Sequence, residues 1–175
     1  VSARLLKSGD ADAMVSAGNT AAALAITRVI LGKLKGLTRP AIATVIPNIV
    51  DATILLDVGA NAGGCAPEHL LQFAVMGDIY ARSMLGKKNP RVGLLSVGEE
   101  KSKGSALTLS AFPLLEQSSI NFVGNVEGRD IVNGTTDVVV CDGFVGNALL
   151  KFGEGICEMF FELLKAELDR SSLTK

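Results

Sequence analysis

The chain contains one histidine, no tryptophan and three cysteines, and its 17 basic residues nearly balance its 18 acidic ones, for a formal net charge of -1. Each scarcity excludes a class of function. The lone His69 lies in an amphipathic helical pattern with no G-x-S-x-G elbow in the chain, so a serine or cysteine triad is not indicated; His69 reads as structural or exposed. Cys65, Cys141 and Cys157 show no CxxC spacing, which speaks against a disulfide framework or a zinc site and for a reducing compartment, with all three thiols as small core residues. No metal cluster or cofactor motif is found. Basic residues form no block, so there is no field to attract nucleic acid. No apolar run approaches the roughly 20 residues of a membrane span, and no charged-then-apolar leader opens the chain, so it reads as cytoplasmic.

Apolar material is plentiful: 48% of the 175 residues are hydrophobic and 20% charged, enough for one well-buried domain. Short apolar runs alternate with longer segments of helical period, which predicts an α/β fold with an open, largely parallel sheet covered by helices. The expected strands are Ala13–Ser16, Ala41–Ile46, Thr53–Val58, Val92–Val97, Asn121–Val123 and Asp137–Cys141. The expected helices are Thr20–Lys35, Pro67–Leu85, Ser105–Glu116, kinked or ended by Pro113, and Asn147–Asp169. The chain opens at Val1 inside the last turn of a helix, Ala3–Lys7 with Gly9 as its stop, and closes in a polar tail, Ser171–Lys175. It therefore reads as one α/β catalytic domain over residues 1–175, a fragment of a longer chain that lacks its amino- and carboxyl-terminal portions.

Polar residues gather in five loops: "SAGNT" at 16–20, "DVGAN" at 57–61, "SVGEEKSKG" at 96–104, "VGNVEG" at 123–128 and "CDGFVGN" at 141–147. Strand carboxyl ends line the ligand crevice of an open α/β sheet, so these loops are expected to converge on one site. Glycine and asparagine are also ordinary turn formers, and both readings stand for any single loop. None of the loops is a Walker A sequence, and "GANAGG" lacks dinucleotide spacing. The helix starts expected at Thr20, Ser105 and Asn147 offer free N–H groups and a dipole to a phosphate or carboxylate, with Asn147 open equally to being a plain N-cap. In "GEEKSKG" a solvated turn and a crevice loop would look alike; Lys103, beside Gly104 and a helix start, is the better candidate to reach a ligand.

"SAGNT", "LLDVGAN", "PEHLLQFAVMG", "NPRVGLLSVGEEKSKG", "NFVGNVEGRD" and "DVVVCDGFVGNALLK", in this order and spacing, closely resemble the phosphate acyltransferase family of bacterial phospholipid synthesis. The resemblance spans nearly the whole chain. It implies transfer of a long acyl chain from acyl carrier protein to inorganic phosphate, without a cofactor, on a fold similar to the isocitrate and isopropylmalate dehydrogenases and phosphotransacetylase. It further implies a homodimer peripheral at the inner membrane face. Lys103 and Asn147 match the residues tied most directly to activity, and Asn19, Thr20, Asp57, Asn61, Asp142 and Gly143 match pocket positions in the other motifs. Ala21 departs from the family's usual glycine, and Ala62, Gly63 and Gly64 depart after GAN.

Phosphate near neutral pH is already an anionic nucleophile, and a thiolate leaves without a strong acid, so the scarcity of histidine is compatible with this chemistry. The last helix carries a broad apolar face, Leu149, Phe152, Ile156, Phe160, Leu163 and Leu164, which suits core burial, a dimer seam or a membrane-facing element. The rival functions are a phosphate acetyl- or butyryltransferase using coenzyme A thioesters, a dehydrogenase of the isocitrate type, for which the metal-binding aspartates and nicotinamide site are not found, and a non-catalytic phosphate-binding module.

Overall fold

In the computed structural model, which describes residues 1–170, five strands form one sheet in the order β1-β2-β5-β3-β4. These are β1 (Ala43–Pro47), β2 (Ala52–Leu56), β3 (Val92–Leu95), β4 (Phe122–Val126) and β5 (Val138–Val140). β2, β5, β3 and β4 run parallel, and β1 is an antiparallel edge hairpinned to β2. The centre is Val138–Val140, which registers Ile54–Leu56 on one side and Val92–Leu94 on the other. Alternate residues point to opposite faces, so an unbroken apolar run is required where both faces are covered.

One face, with Ile54, Leu56, Val92, Leu94, Val138 and Val140, packs on α3 (Pro67–Met84) and α4 (Ala106–Glu116) through Leu70, Phe73, Phe112 and Leu115. On the other, Leu55, Val126 and Val139 meet Ile131 of α5 (Gly128–Asn133) and Leu149 and Leu150 of α6 (Gly143–Arg170). α1 (Ser2–Ser8) and α2 (Thr20–Leu31) lie against each other at the amino-terminal end. At the start of the central strand, opposite the loops, Asp137 receives hydrogen bonds from the Arg91 backbone (2.8 Å) and guanidinium (3.0 Å), and Lys87 Nζ approaches to 3.4 Å.

Several expectations need correction. Ala13–Ser16 is not a strand; it is irregular chain with Val15 99% exposed and no neighbouring strand to complete a ladder. The helix expected over Thr20–Lys35 stops at Leu31, because Gly32 takes φ 86° and its N–H closes on the Arg28 carbonyl. Pro113 does not end α4, which continues to Glu116 with the proline on its exposed side. α5 was not foreseen. The last helix starts at Gly143, four residues before the expected Asn147. Beyond Leu149, its broad apolar face is not core: Lys151 to Arg170 is exposed throughout, with Phe152, Phe160 and Phe161 each more than 60% accessible. Cys157 on that helix is exposed, unlike half-buried Cys65 and buried Cys141. The tail Ser171–Lys175 lies outside the described residues.

Candidate active site

The site is organised by the contact between the loop after β2 and the first turns of α6. Asp57, fully buried, follows directly on β2. Its Oδ1 accepts the N–H groups of Ile42 (2.9 Å) and Ala60 (3.0 Å), and its Oδ2 accepts the Asn61 N–H (2.7 Å) and Nδ2 (3.0 Å). Asn61 Nδ2 also donates to the Pro40 carbonyl at 2.8 Å. Both side chains are therefore turned into the protein, where they hold the 57–61 loop against the approach to β1. A carboxylate with four donors leaves no lone pair for a ligand without losing a bond inside the fold.

α6 begins where Asp142 Oδ1 accepts the N–H groups of Phe144 (3.0 Å) and Val145 (3.2 Å), so Asp142 is the capping residue. Asn147 is not a cap. It sits in the second helical turn with its side chain exposed, while the N–H groups of Phe144 and Val145 are taken by Asp142 Oδ1 and that of Gly146 by the Asp142 carbonyl. Gly143 and Gly146, three residues apart, share the face that meets the 57–61 loop. A Cβ at Gly143 would lie 2.5 Å from Asp57 Oδ2, and one at Gly146 would lie 1.9 Å from the Asp57 carbonyl oxygen and 2.8 Å from Cys141 Sγ. Only hydrogen fits there. These close approaches press α6 on the loop, and a Cβ at Gly59 would stand 3.5 Å from the Asn147 side chain.

The loops do not converge on one pocket; they border two clefts, one on each side of the start of α6. The first, about 490 Å³, is lined by Asn19, Thr20, Gly59, Phe144, Asn147 and Lys151, among others. The amino-terminus of α2 opens on it, with Asn19 Oδ1 capping the Ala22 N–H at 3.0 Å. The second, about 260 Å³, is lined by Ser96, Gly104, Ser105, Thr108, Asp142 and Val145, and receives the start of α4, capped by Ser105 Oγ on the Thr108 N–H at 3.2 Å. Asn19, Thr20 and Asn147 are thus brought together. Asp142 faces the second cleft, Gly143 is buried against the 57–61 loop, and Asp57 and Asn61 are buried and line neither cleft.

Lys103 stands next to the second cleft, its neighbour Gly104 among the lining residues. Its ammonium group has no ion-pair partner among the described residues, whereas Lys101 is paired with Glu116 and sits 5.3 Å over the Phe112 ring. The Lys103 carbonyl is held by Ser96 Oγ (3.2 Å) and Asn125 Nδ2 (3.5 Å), and Asn125 Nδ2 also reaches the Glu100 carbonyl at 2.9 Å. Asn125 is buried, so the end of β4 fixes the loop that carries the free lysine. Sequence reasoning assigned Asn125 and Lys151 no role. The latter was within reach, because Asn147, Lys151 and Glu154 follow helical spacing along one face of α6 and all line the first cleft.

Burial raises the thiol pKa of Cys65 and of Cys141, and the nearby Asp142 and Asp57 carboxylates add to the effect in both. Neither is a thiolate nucleophile at neutral pH. His69 has a structural bond: its Nδ1 accepts the Ala66 N–H at 2.8 Å at the start of α3. What the clefts do offer is a lysine, an amide, hydroxyls and two helix amino-termini, a set suited to holding an anion and stabilising a developing negative charge.

The family described as fatty acid synthesis protein matches residues 1–175. The chain is 55% identical over 172 residues to a phosphate acyltransferase of Pelotomaculum thermopropionicum, covering 98% of this chain and 50% of that protein. It is 54% identical over 171 residues to a phosphate acyltransferase of Desulforudis audaxviator, covering 98% and 51%. The chain thus spans about half the length of the curated relatives it matches. Among solved structures, the EutD phosphotransacetylase from Staphylococcus aureus superposes with a TM-score of 0.66 at 19% identity, over 88% of this chain and 54% of that one, a likeness of fold.

Proposed function

Starting from the fact that this chain belongs to the fatty acid synthesis protein family, we propose that it is the catalytic portion of a phosphate acyltransferase that moves a long-chain acyl group from acyl carrier protein to inorganic phosphate for phospholipid synthesis. A phosphate oxygen attacks the thioester carbonyl carbon, the C–S bond breaks, and the products are acyl phosphate and the carrier thiolate. The observation that carries this reading is the pairing of Asn147 with Thr20 and the start of α2 across one cleft of about 490 Å³, with the unpaired Lys103 on the other side of α6. Phosphate sits at the start of α2, held by its N–H groups with Lys103 reaching it past the first turn of α6, and Asn147, free of any capping duty, donates to the thioester oxygen as it becomes an oxyanion. Asn19 and Thr20 shape the phosphate end of the cleft. Asp57, Asn61, Asp142 and Gly143 act through position, by fixing where α6 begins.

Loss of one oxyanion donor lowers turnover about 100- to 1,000-fold. Lys103→Ala and Asn147→Ala in the full chain are expected to fall in that range with folding unchanged, measured as acyl phosphate formed from acyl carrier protein thioesters. Normal turnover in both would refute the assignment. A preference for short coenzyme A thioesters would instead make the protein a phosphate acetyl- or butyryltransferase, and phosphate binding without turnover would make it a binding module.

The same reading gives the exposed half of α6 its partner. From Lys151 to Arg170 the helix runs about 30 Å with Phe152, Ile156, Phe160, Leu163 and Leu164 uncovered. A second copy of the chain covers this face in a homodimer, and its outer apolar residues rest on the inner membrane surface. No helix among the described residues is long and apolar enough to cross a membrane.

A further inference from the structure

Between Asp12 and Asp51 the chain has no acidic residue but carries Arg28, Lys33, Lys35 and Arg39. The fold assembles these four cations around one surface feature. A cavity of about 200 Å³ lies between the end of α2 and α3, with Leu24, Leu34, Leu37 and Met76 as its apolar lining and Arg28, Lys33 and Arg39 at its rim. Through Leu34, Leu37 and Met76 it continues into a more open cleft of about 500 Å³ along the outer face of α3, where Val75, Ile79, Tyr80 and Met84 are uncovered and Lys35 lines the edge. No acid lines either part. None of the four cations makes an ion pair among the described residues; Lys33 Nζ donates only to the Thr38 carbonyl, at 3.1 Å.

We propose that this groove docks an acidic, amphipathic helix of the protein that carries the acyl donor. An apolar slot with a one-signed rim calls for an occupant with an apolar stripe flanked by carboxylates at helical spacing. A free fatty acid brings one charge to four cations, and a bilayer surface does not enter a concave cavity. The groove also lies in the right place. Asn19, Thr20 and Ala21 at the start of α2 face the cleft of the candidate active site, and Leu24, Thr27 and Arg28, one to two turns on, face the groove. Likewise Arg39, Pro40 and Ala41 line the groove and Ile42 and Ala43 the cleft. A carrier seated on the cations therefore presents a thioester arm directly into the neighbouring cleft. Rim charges of this kind govern encounter and its salt dependence.

The inference rests on the proposed acyl transfer from a carrier protein, and its test separates the two. In the full chain, Arg28→Glu, Lys33→Glu and Lys35→Glu are combined, with Lys35→Gln alone as a milder variant, and two donors are compared: acyl carrier protein thioester and a small neutral thioester, acyl-N-acetylcysteamine. Turnover by the unaltered protein tests the function. The triple variant tests the groove: KM for the carrier thioester is expected to rise at least tenfold, and Lys35→Gln to raise it by a smaller factor. kcat and the KM for the small thioester should stay within twofold. KM for the carrier in the unaltered protein should rise with ionic strength. Should the unaltered protein turn over neither donor, binding of the carrier to it and to the triple variant, measured by calorimetry, still decides the groove. An unchanged carrier KM or affinity would overturn the proposal. So would a loss confined to binding of anionic vesicles, or a change in oligomeric state in place of carrier affinity, which would put a membrane or a second copy in the groove.

Discussion

Replacing Gly146 by alanine adds one methyl group where the Asp57 carbonyl oxygen already stands 1.9 Å away and Cys141 Sγ 2.8 Å away. Reaching an ordinary contact near 3.4 Å requires about 1.5 Å of relative movement between α6 and the 57–61 loop. The loop resists, because the Asp57 carboxylate is tied to three backbone N–H groups, those of Ile42, Ala60 and Asn61. Overpacking of this kind costs roughly 1–3 kcal/mol, and the rigid backbone opposite puts Gly146 at the upper end. Alanine gains about 1 kcal/mol in helix propensity, so the net loss is about 2 kcal/mol. For a chain of this size that lowers the melting temperature by about 4–8 °C. Gly153 and Gly155, on the same helix, have nothing within 4 Å of an added Cβ. Alanine there should do the reverse and raise helical content. Thermal denaturation followed by circular dichroism reads all three variants. A melting temperature for Gly146→Ala within about 1 °C of the parent, or a loss of the same size at Gly153, would refute the packing argument.

Asp57→Ala leaves the N–H groups of Ile42, Ala60 and Asn61 without their acceptor and is expected to cost at least about 3 kcal/mol, measured by urea denaturation; a loss below about 1 kcal/mol would count against the bonding described. At Asp137, burial works against ionisation, but hydrogen bonds from Arg91 and the charges of Arg91 and Lys87 outweigh it and hold the carboxyl below its ordinary value. A pKa lowered by folding stabilises above the unfolded value of about 3.9, and that contribution is lost as pH falls through the folded one. Asp137→Asn should therefore destabilise at neutral pH and flatten the decline of stability below about pH 4, seen in denaturant midpoints across an acid series; a parallel decline would refute it. Serine at Phe152, Phe160 and Leu163 is expected to turn the proposed dimer into a monomer in analytical ultracentrifugation without lowering the melting temperature of the sheet domain, because these side chains are exposed and lie outside both core clusters.

The α/β architecture was legible because Ile54–Leu56, Val92–Leu95 and Val138–Cys141 carry no polar side chain, a pattern that a sheet covered on both faces demands. Ala13–Ser16 shows the limit of that signal. Local pattern identifies a segment able to form a strand, and only a neighbour with free backbone groups makes it one. The start of α6 failed for a different reason. Gly143 and Gly146 have poor helix propensity, so the periodic pattern begins at Asn147; the close approach to Asp57 that requires both glycines is a long-range contact no local window contains. That error carried into the role of Asn147, read as a possible cap, when Asp142 performs the capping five residues earlier. Lys103 and Asn147 were found as motif positions, but their placement on opposite sides of α6 follows from sheet order, which sequence spacing does not encode. The cations at 28–39 escaped notice because they are dispersed along the chain and meet only through the turn after α2.

Asp57 also has a consequence for motion. Its carboxylate joins the lead-in to β1, the 57–61 loop and, through the glycine contacts, the first turns of α6, so the wall that carries Asn147 moves as one body. Amide exchange at Ala60 and Asn61 should be slow for so polar a loop. Whatever closes over a bound substrate must then arrive from the opposite bank, where the 16–20 segment lies exposed, and opening and closing becomes a property of α2 and the chain that leads to it.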